Sequence, residues 1–315
     1  MTVYLSRRLL GFAINLFLIS LFVFTLLRLV PGDAAANILG QEASPENLAK
    51  FREEHGLNGS LYEQYVRWAG GMLQGDFGKS LWSHTSVTST FFSRLPITLE
   101  IVALSFSFTL LFGLSSGIIS ALKQNSMTDL GVRIVAILGL AVPNFLILTL
   151  LLIVPARFFG YAPPFGATNP FNDPFNNLRL FVPPTLLLSI SSSAVLMRFT
   201  RSGFLEVLRQ DYIRTARSKG LDQRTVTLRH ALRNALPPVL TLAGLQLGGL
   251  LSGSIILERV MGLPGLGVWT LDAIQNKDVP VVMLVSLYTA FIVMSINLVI
   301  DLTYALIDPR IRVGA

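Results

Sequence analysis

The sequence predicts an all-α polytopic membrane protein with six transmembrane helices and a small helical subdomain on the exoplasmic side. Three observations carry that expectation. Of the 315 residues, 52% are hydrophobic and only 14% charged, outside the usual range of a soluble globular domain. Six apolar stretches, the fourth the shortest, approach or exceed the roughly 20 residues needed to cross a hydrocarbon core. Lys and Arg also collect on one side of the crossings those stretches imply.

The spans run approximately Leu9 to Val30, Ile97 to Leu122, Arg133 to Pro155, Val182 to Met197, Pro238 to Leu257 and Val281 to Ile300. The first follows Arg7 and Arg8. It is too long for a typical signal-peptide core and has no small-x-small cleavage pattern after it, so it is read as a retained span. The fourth opens with Pro183 and Pro184, which suit a first helical turn. Six crossings place both termini on one face. Arg7 and Arg8, the short turn with Lys123 and Arg133, the central loop and the tail with Arg310 and Arg312 all fall on that face, which is therefore cytoplasmic. From Arg198 to Arg233 there are nine Lys or Arg against Glu206, Asp211 and Asp222.

On the other face, Pro31 to Pro96 is more acidic than basic. Glu46 to His55 and Leu61 to Leu73 have helical apolar spacing, with Ser44-Pro45-Glu46 as a cap and first turn. Phe158 to Phe181 reads as irregular. Glu258 to Pro280 holds Gly262-Leu263-Pro264-Gly265-Leu266-Gly267, a break before a short amphipathic turn.

Several chemistries are disfavoured. There is no cysteine, which excludes disulfides, thiolate metal sites and a cysteine nucleophile. Gly78-Lys79-Ser80 resembles the end of a phosphate-binding loop, but Leu73 stands where its first glycine belongs and no strand precedes it. Asp76-Phe77-Gly78 spells a kinase tripeptide without other kinase elements. His55, His84 and His230 are scattered, with neither a metal nor a triad pattern, so no catalytic residue and no metal are assigned. The charge of +7 is explained by retained cytoplasmic loops rather than nucleic-acid binding. Arg28, Glu100, Glu258 and Asp301 lie near span ends, where long side chains reach water, which argues against a proton- or sodium-coupled carrier.

Small and polar residues inside the spans allow two readings. Gly113 with Gly117, Gly244 with Gly248, and Gly249 with Gly253 form GxxxG pairs suited to close helix packing. Alternatively Asn144, Ser189, Ser193, Gln246, Ser252 and Asn297 line a hydrated translocation passage. Helix-breaking Pro143 in mid-span fits either reading, since the freed backbone groups need protein or water partners.

The central loop is the most distinctive stretch. Gly203 to Ser218 can be written as one helix with Phe204, Leu208, Tyr212 and Thr215 on a face, Val207 and Ala216 flanking it, and Arg209, Arg214 and Arg217 outside. Gly220 ends it as a left-handed cap, and a second short helix from Gln223 carries Arg224, Arg229, His230 and Arg233 to Pro237-Pro238. Composition supports both a docking surface and an interfacial helix on anionic lipid.

Tyr212-Ile213-Arg214-Thr215-Ala216-Arg217-Ser218-Lys219-Gly220-Leu221 with Arg229-His230-Ala231-Leu232-Arg233-Asn234-Ala235-Leu236-Pro237 resembles the EAA loop of ABC-importer permeases, in the dipeptide/oligopeptide/nickel form of the DppB/OppB type. Arg7 to Leu10, Leu27 to Asp33, Leu57 with Tyr62 to Tyr65, Gly75 to Gly78, Pro264 to Gly267 and Asp301 to Arg310 match that family in order. Arg214 and Thr215 depart from the general Glu and Ala positions, and Arg233 stands where that pattern has proline.

The resemblance implies a type I importer (MetI-like) permease fold. Its parts would be a tip and first helix over 1–30, an exoplasmic helical subdomain over 31–95, a core permease domain over 96–308 with the coupling loop at 200–236, and a tail over 309–315. It implies one half of a translocation pathway for peptides or similar solutes in a bacterial-type inner membrane. A second permease, two cytoplasmic ATPases holding ATP and magnesium, an extracytoplasmic binding protein and membrane lipid would be the partners. This chain would bind no cofactor and hydrolyse nothing. Phe204, Leu208, Tyr212, Arg214, Thr215, Ala216, Arg217, Lys219, Gly220 and Arg224 would couple it to an ATPase. The alternative is a self-contained channel or carrier with a lipid-anchored loop. The sequence leaves the cargo open among dipeptides, oligopeptides, nickel chelates, sugars and opine-like compounds.

Overall fold

The structure, a computed structural model, describes residues 2–29, 44–54, 58–160 and 171–307. The regular elements among them are helical: α1 (Thr2–Leu29), α2 (Pro45–Glu54), α3 (Leu61–Leu73), α4 (Val87–Leu122), α5 (Met127–Ala141), α6 (Asn144–Phe159), α7 (Pro174–Leu208), α8 (Asp211–Ser218), α9 (Gln223–Thr225), a π-helical turn (Val226–Ala231), α10 (Leu232–Met261), α11 (Leu266–Gln275) and α12 (Val279–Ile307). Five helices are long and apolar enough to span a membrane, and α5 with α6 forms a sixth candidate bent by 90°. Pro31 to Asp33, His55, Leu57, Arg310, Arg312 and the tail 309–315 lie outside the described residues.

The third span, read as one stretch from Arg133 to Pro155 with a helix-breaking Pro143 in its middle, is two helices that meet at that proline. Pro143 lacks an N–H and disfavours helical geometry at the residue before it, and Val142 is extended at φ −95°, ψ 124°. Two helices of 15 and 16 residues result, each about 22–24 Å long at 1.5 Å per residue, short of the roughly 30 Å core. The fourth span also differs. Its helix starts at Pro174, where Asp173 caps by accepting from Asn176 N at 3.2 Å, and Pro183 and Pro184 lie inside it. The latter part of the segment read as irregular is therefore helical.

The chain divides into two compact units, Ile97–Pro264 with Ser295–Ala315, and Thr2–Pro96 with Gly265–Met294. In the first, α7 packs most extensively on α10 and α5. Its core joins Ile101 of α4, Leu148 of α6, Leu180, Phe181 and Leu188 of α7, and Leu250, Leu257 and Met261 of α10. Gly113 and Gly117 bring α4 against α7. A Cβ at Gly113 would stand 2.8 Å from Leu196 Cβ, and one at Gly117 2.6 Å from Thr200 Cβ. A Cβ at Gly244 would run into Ile300, and one at Gly253 would stand 2.9 Å from Leu188 Cδ1, whereas Gly248 and Gly249 have no such neighbour. Packing therefore uses only part of the GxxxG set.

Glu258 overturns one expectation. It is 0% exposed rather than reaching water, and it accepts from Thr98 Oγ1 at 2.7 Å. Its place at the last turn of α10, where Gly262 in the left-handed region ends the helix, directs it into the bundle instead of along the surface.

In the second unit, Ser44 caps α2 by accepting from Asn47 N at 3.2 Å. Ser60 and Glu63 form a capping box on α3. The false phosphate-loop run Gly78-Lys79-Ser80 serves a structural purpose. Ser80 Oγ donates to Asp278 Oδ2, and Leu81 N donates to Asp278 Oδ1 at 3.0 Å, joining the loop before α4 to the residue before α12. Both Ser80 and Asp278 are buried. Asp278→Ala leaves two buried donors unsatisfied, and a loss of about 2–3 kcal/mol is expected, read as a lowered thermal midpoint of the purified protein.

Candidate functional site

The central loop folds differently from a single helix. α7 continues through Gly203 and Phe204 to Leu208, the chain turns at Arg209 and Gln210, and α8 restarts at Asp211. Gly220 follows at φ +80°, a left-handed conformation that a Cβ disfavours. Nothing lies within 4 Å of a Cβ built there, so the demand for glycine is conformational rather than steric. Asp222 then caps α9, accepting from Thr225 N at 3.2 Å. Hydrogen bonds from Thr225 hold the Asp222 carboxyl below the usual carboxylate range.

The second short helix does not stop at Pro237-Pro238. It passes through the π-helical turn directly into α10, with both prolines inside. π-helical turns occur mostly as single-turn bulges within α-helices, frequently at functional sites. Here the turn carries Arg229 and His230.

These pieces share a small core of Ala121, Phe204, Ile213, Ala216, Val226, Ala231 and Ala235. Phe204 is 1% exposed and Ala216 is also buried, while Leu208 and Val207 pack partly against the cluster. The expected apolar face is therefore split: Phe204 and Ala216 hold the loop to its own bundle. The outward surface consists of Tyr212, 43% exposed, with exposed Arg214, Thr215, Arg217, Lys219, Gly220, Leu221 and Arg224. Arg214 pairs with Asp211 at 3.5 Å. Both side chains are solvated, so the pair contributes little to stability.

One group was not legible in advance. Where α7 leads into the loop, Arg201 Nη2 donates to Asp129 Oδ2 at 2.8 Å and Arg201 Nε donates to Oδ1 at 2.9 Å. Ser120 Oγ donates to Oδ1 at 2.5 Å and Asn125 N to Oδ2 at 3.0 Å. Asp129 is 1% exposed. This bidentate pair ties α7, which carries the loop, to the α4–α5 turn. Ser126 with Asp129 three residues on is legible as a helix cap, and the cap forms. The partner lies 72 residues away, and no local pattern announces it.

The predicted passage residues separate. Ser189 is buried and donates to Leu186 O at 2.7 Å. It lines, with Ser193, Ser115 and Ser116, an apolar cavity of about 740 Å³ between α4, α5 and α7. Gln246 Nε2 donates to Ser192 O at 3.3 Å. Asn144 Oδ1 and Ser193 Oγ are buried without a hydrogen-bond partner among the described residues. Ser252 and Asn297 are exposed. On α10, Thr241, Leu245, Gly248, Gly249, Ser252 and Ile256 fall on one face by helical spacing. All are exposed except Gly248, which is partly exposed. This open stripe of small, polar and apolar residues includes the glycines that packing does not use.

Among the described residues, no group of three or more His, Cys, Asp or Glu side chains could hold a metal ion.

Residues 113–313 match the family of binding-protein-dependent transport system inner membrane components, and residues 1–102 match the N-terminal region of such components. The chain is 38% identical over 309 residues, 98% of each chain, to the glutathione transport system permease protein GsiC of Escherichia coli K12. The same figures hold for that of Shigella dysenteriae serotype 1 strain Sd197. The fold is similar to the inward-facing MetNI methionine ABC transporter in its CY5 native crystal form. That match has TM-score 0.55 and 18% identity, covering 69% of this chain and 96% of the other; a second crystal form gives TM-score 0.53 and 18% identity, covering 70% and 96%.

Proposed function

We propose that this chain, which belongs to the family of binding-protein-dependent transport system inner membrane components, docks one cytoplasmic ATPase on the surface formed by α8, Gly220 and α9. The chain is the transmembrane permease half of an ABC-type importer, a multi-pass inner-membrane protein and not itself an ATPase. Its proposed partners are a second permease, two ATPases that hold ATP and magnesium, and an extracytoplasmic binding protein. Within the peptide/nickel-transport superfamily, the DppB/OppB-type branch is the proposed assignment, supported by the resemblance of the central loop from Tyr212 to Pro237. The similarity to permeases named for glutathione makes peptide-like solutes the proposed cargo.

The observation that carries the docking surface is the division of labour in the loop. Phe204, Ile213, Val226 and Ala231 bury one side, and Tyr212, Thr215, Arg217, Lys219 and Arg224 leave the other side free for a partner. Tyr212 supplies an aromatic anchor with few rotatable bonds. Arg214, Arg217, Lys219 and Arg224 favour an acidic surface and act mainly on association rate and specificity. Movement of the ATPase pair would turn the bundle between two packings. The α10 stripe from Thr241 to Ile256 is the proposed wall of the passage, with Ser252 as its hydroxyl and Asn297 of α12 as a further exposed polar group. Ser189, Ser193, Gln246 and Asn144 act within the bundle.

Gly220→Leu tests the coupling. Forcing a branched side chain to φ +80° costs about 1–2 kcal/mol, enough to reset the loop without unfolding the spans. Normal membrane levels with uptake reduced at least tenfold and ATP hydrolysis no longer stimulated by loaded binding protein are expected. Undiminished uptake at normal membrane levels would refute the assignment. Gly220→Asn should retain more uptake than Gly220→Leu, because Asn tolerates the left-handed region.

A further inference from the structure

α3 divides into three arcs. Gln64, Tyr65, Trp68 and Met72 face inward: Gln64 is buried and Tyr65, Trp68 and Met72 partly so. Tyr65 OH and Ser20 Oγ of α1 hydrogen-bond at 2.8 Å, the Tyr65 ring meets Phe17 at 6.3 Å and Phe24 at 5.3 Å, and Trp68 meets Phe24 at 5.9 Å. Glu63 and Arg67 occupy a second, polar arc. Tyr62, Val66 and Leu73 form a third, which is apolar yet 77%, 49% and 91% exposed. A water-facing helix has no reason to present that third arc, and an interfacial helix does.

The depth of its contacts on α1 decides what covers it. Ser20 lies twelve residues from Arg8, a climb of about 18 Å at 1.5 Å per residue. With Arg8 at the inner boundary, that is inside a hydrocarbon core of roughly 30 Å. A second ruler comes from Phe12, whose ring meets Phe291 edge-on at 5.6 Å. Phe291 is the middle residue of the span Val279–Thr303, and Ser20 stands eight residues, about 12 Å, outward of Phe12. The half-thickness is about 15 Å, so the two rulers put Ser20 between about 3 and 12 Å outward of the midplane, in the outer leaflet in both cases. Phe24, which Trp68 meets, is about 6 Å further out, near the level where Trp and Tyr belts sit. Along α1 itself, Leu18, Phe22 and Leu26 flank the contact residues and are exposed, as lipid-facing residues are.

We infer that α3 is embedded obliquely in the outer leaflet, its Tyr62 and Val66 arc covered by lipid acyl chains and its Glu63 and Arg67 arc turned to water. The helix thus belongs to the membrane surface rather than to an exoplasmic domain standing clear of it. The inference rests on the positive-inside orientation and not on the coupling surface, so failure of either leaves the other standing.

The absence of cysteine makes the test direct. Tyr62→Cys and Val66→Cys, with Gln74→Cys at the exposed end of the helix as a water reference, are spin-labelled in the intact importer assembled with cysteine-free partners in liposomes. Collision rates with molecular oxygen and with a water-soluble nickel chelate are then measured. Labels at 62 and 66 should collide with oxygen several-fold more than the label at 74, and with the nickel reagent several-fold less. Free collision with nickel at 62 and 66 would show water there and overturn the inference. Protection from both reagents would show a protein partner on that arc and would overturn it too. The two positions are read independently, so one misassembling variant leaves the other decisive.

Discussion

Phe204→Ala is expected to destabilise the protein by about 3–5 kcal/mol, the range for removing a fully buried aromatic side chain. Phe204 is wholly enclosed by Ala121, Ile213, Ala216, Val226 and their neighbours, and small residues on several sides cannot expand to fill the space. The loss should appear as reduced membrane levels and a thermal midpoint lowered by several degrees. Tyr212→Ala should behave in the opposite manner. Its side chain is substantially exposed, so stability should change by less than about 0.5 kcal/mol, while recovery of the ATPase with the purified chain falls. If Tyr212→Ala keeps full ATPase recovery and Phe204→Ala keeps full stability, the two sides of the loop have been assigned the wrong way round.

Asp129→Ala should destabilise by about 3 kcal/mol or more, because removing one partner of a buried pair leaves the other charge uncompensated. Arg201 would lose two charge-assisted bonds, and Ser120 Oγ and Asn125 N would lose their acceptor. The replacement Asp129→Asn separates charge from shape. It keeps an acceptor for Arg201 but removes the negative charge, and an intermediate loss is expected. The pair also has a mechanical consequence: it joins the base of the loop-bearing helix α7 to the α4–α5 turn, so loop motion would be passed to three helices together. Uptake per ATP hydrolysed should therefore fall in Asp129→Asn more than the amount of folded protein does. A proportional fall in both would reduce the pair to a purely structural clamp.

Much of the architecture follows from local pattern. The apolar runs locate the spans, the Ser60 and Glu63 spacing starts α3 with its capping box, Ser44-Pro45-Glu46 starts α2, and Gly220 and Gly262 mark left-handed ends. These signals are legible because caps, breaks and hydrophobic length act over a few residues. Proline was the weakest guide. Pro183-Pro184 and Pro237-Pro238 lie within continuous helices, where a helix can continue through a missing donor when its remaining surface is buried in the bundle. Pro143 breaks its span.

The sequence alone determined that the chain crosses a membrane about six times, which face carries its positive charge, and that its central basic loop has a helix, a glycine turn and a second helix. Only the tertiary structure decided which residues of that loop face inward. It also paired Asp129 with Arg201, Ser80 with Asp278 and Thr98 with Glu258. The reason is physical. Hydrophobic length and backbone conformation are properties of neighbours along the chain, whereas burial and the pairing of buried polar groups depend on residues brought together from distant segments, where leaving a donor or charge unmatched costs several kcal/mol.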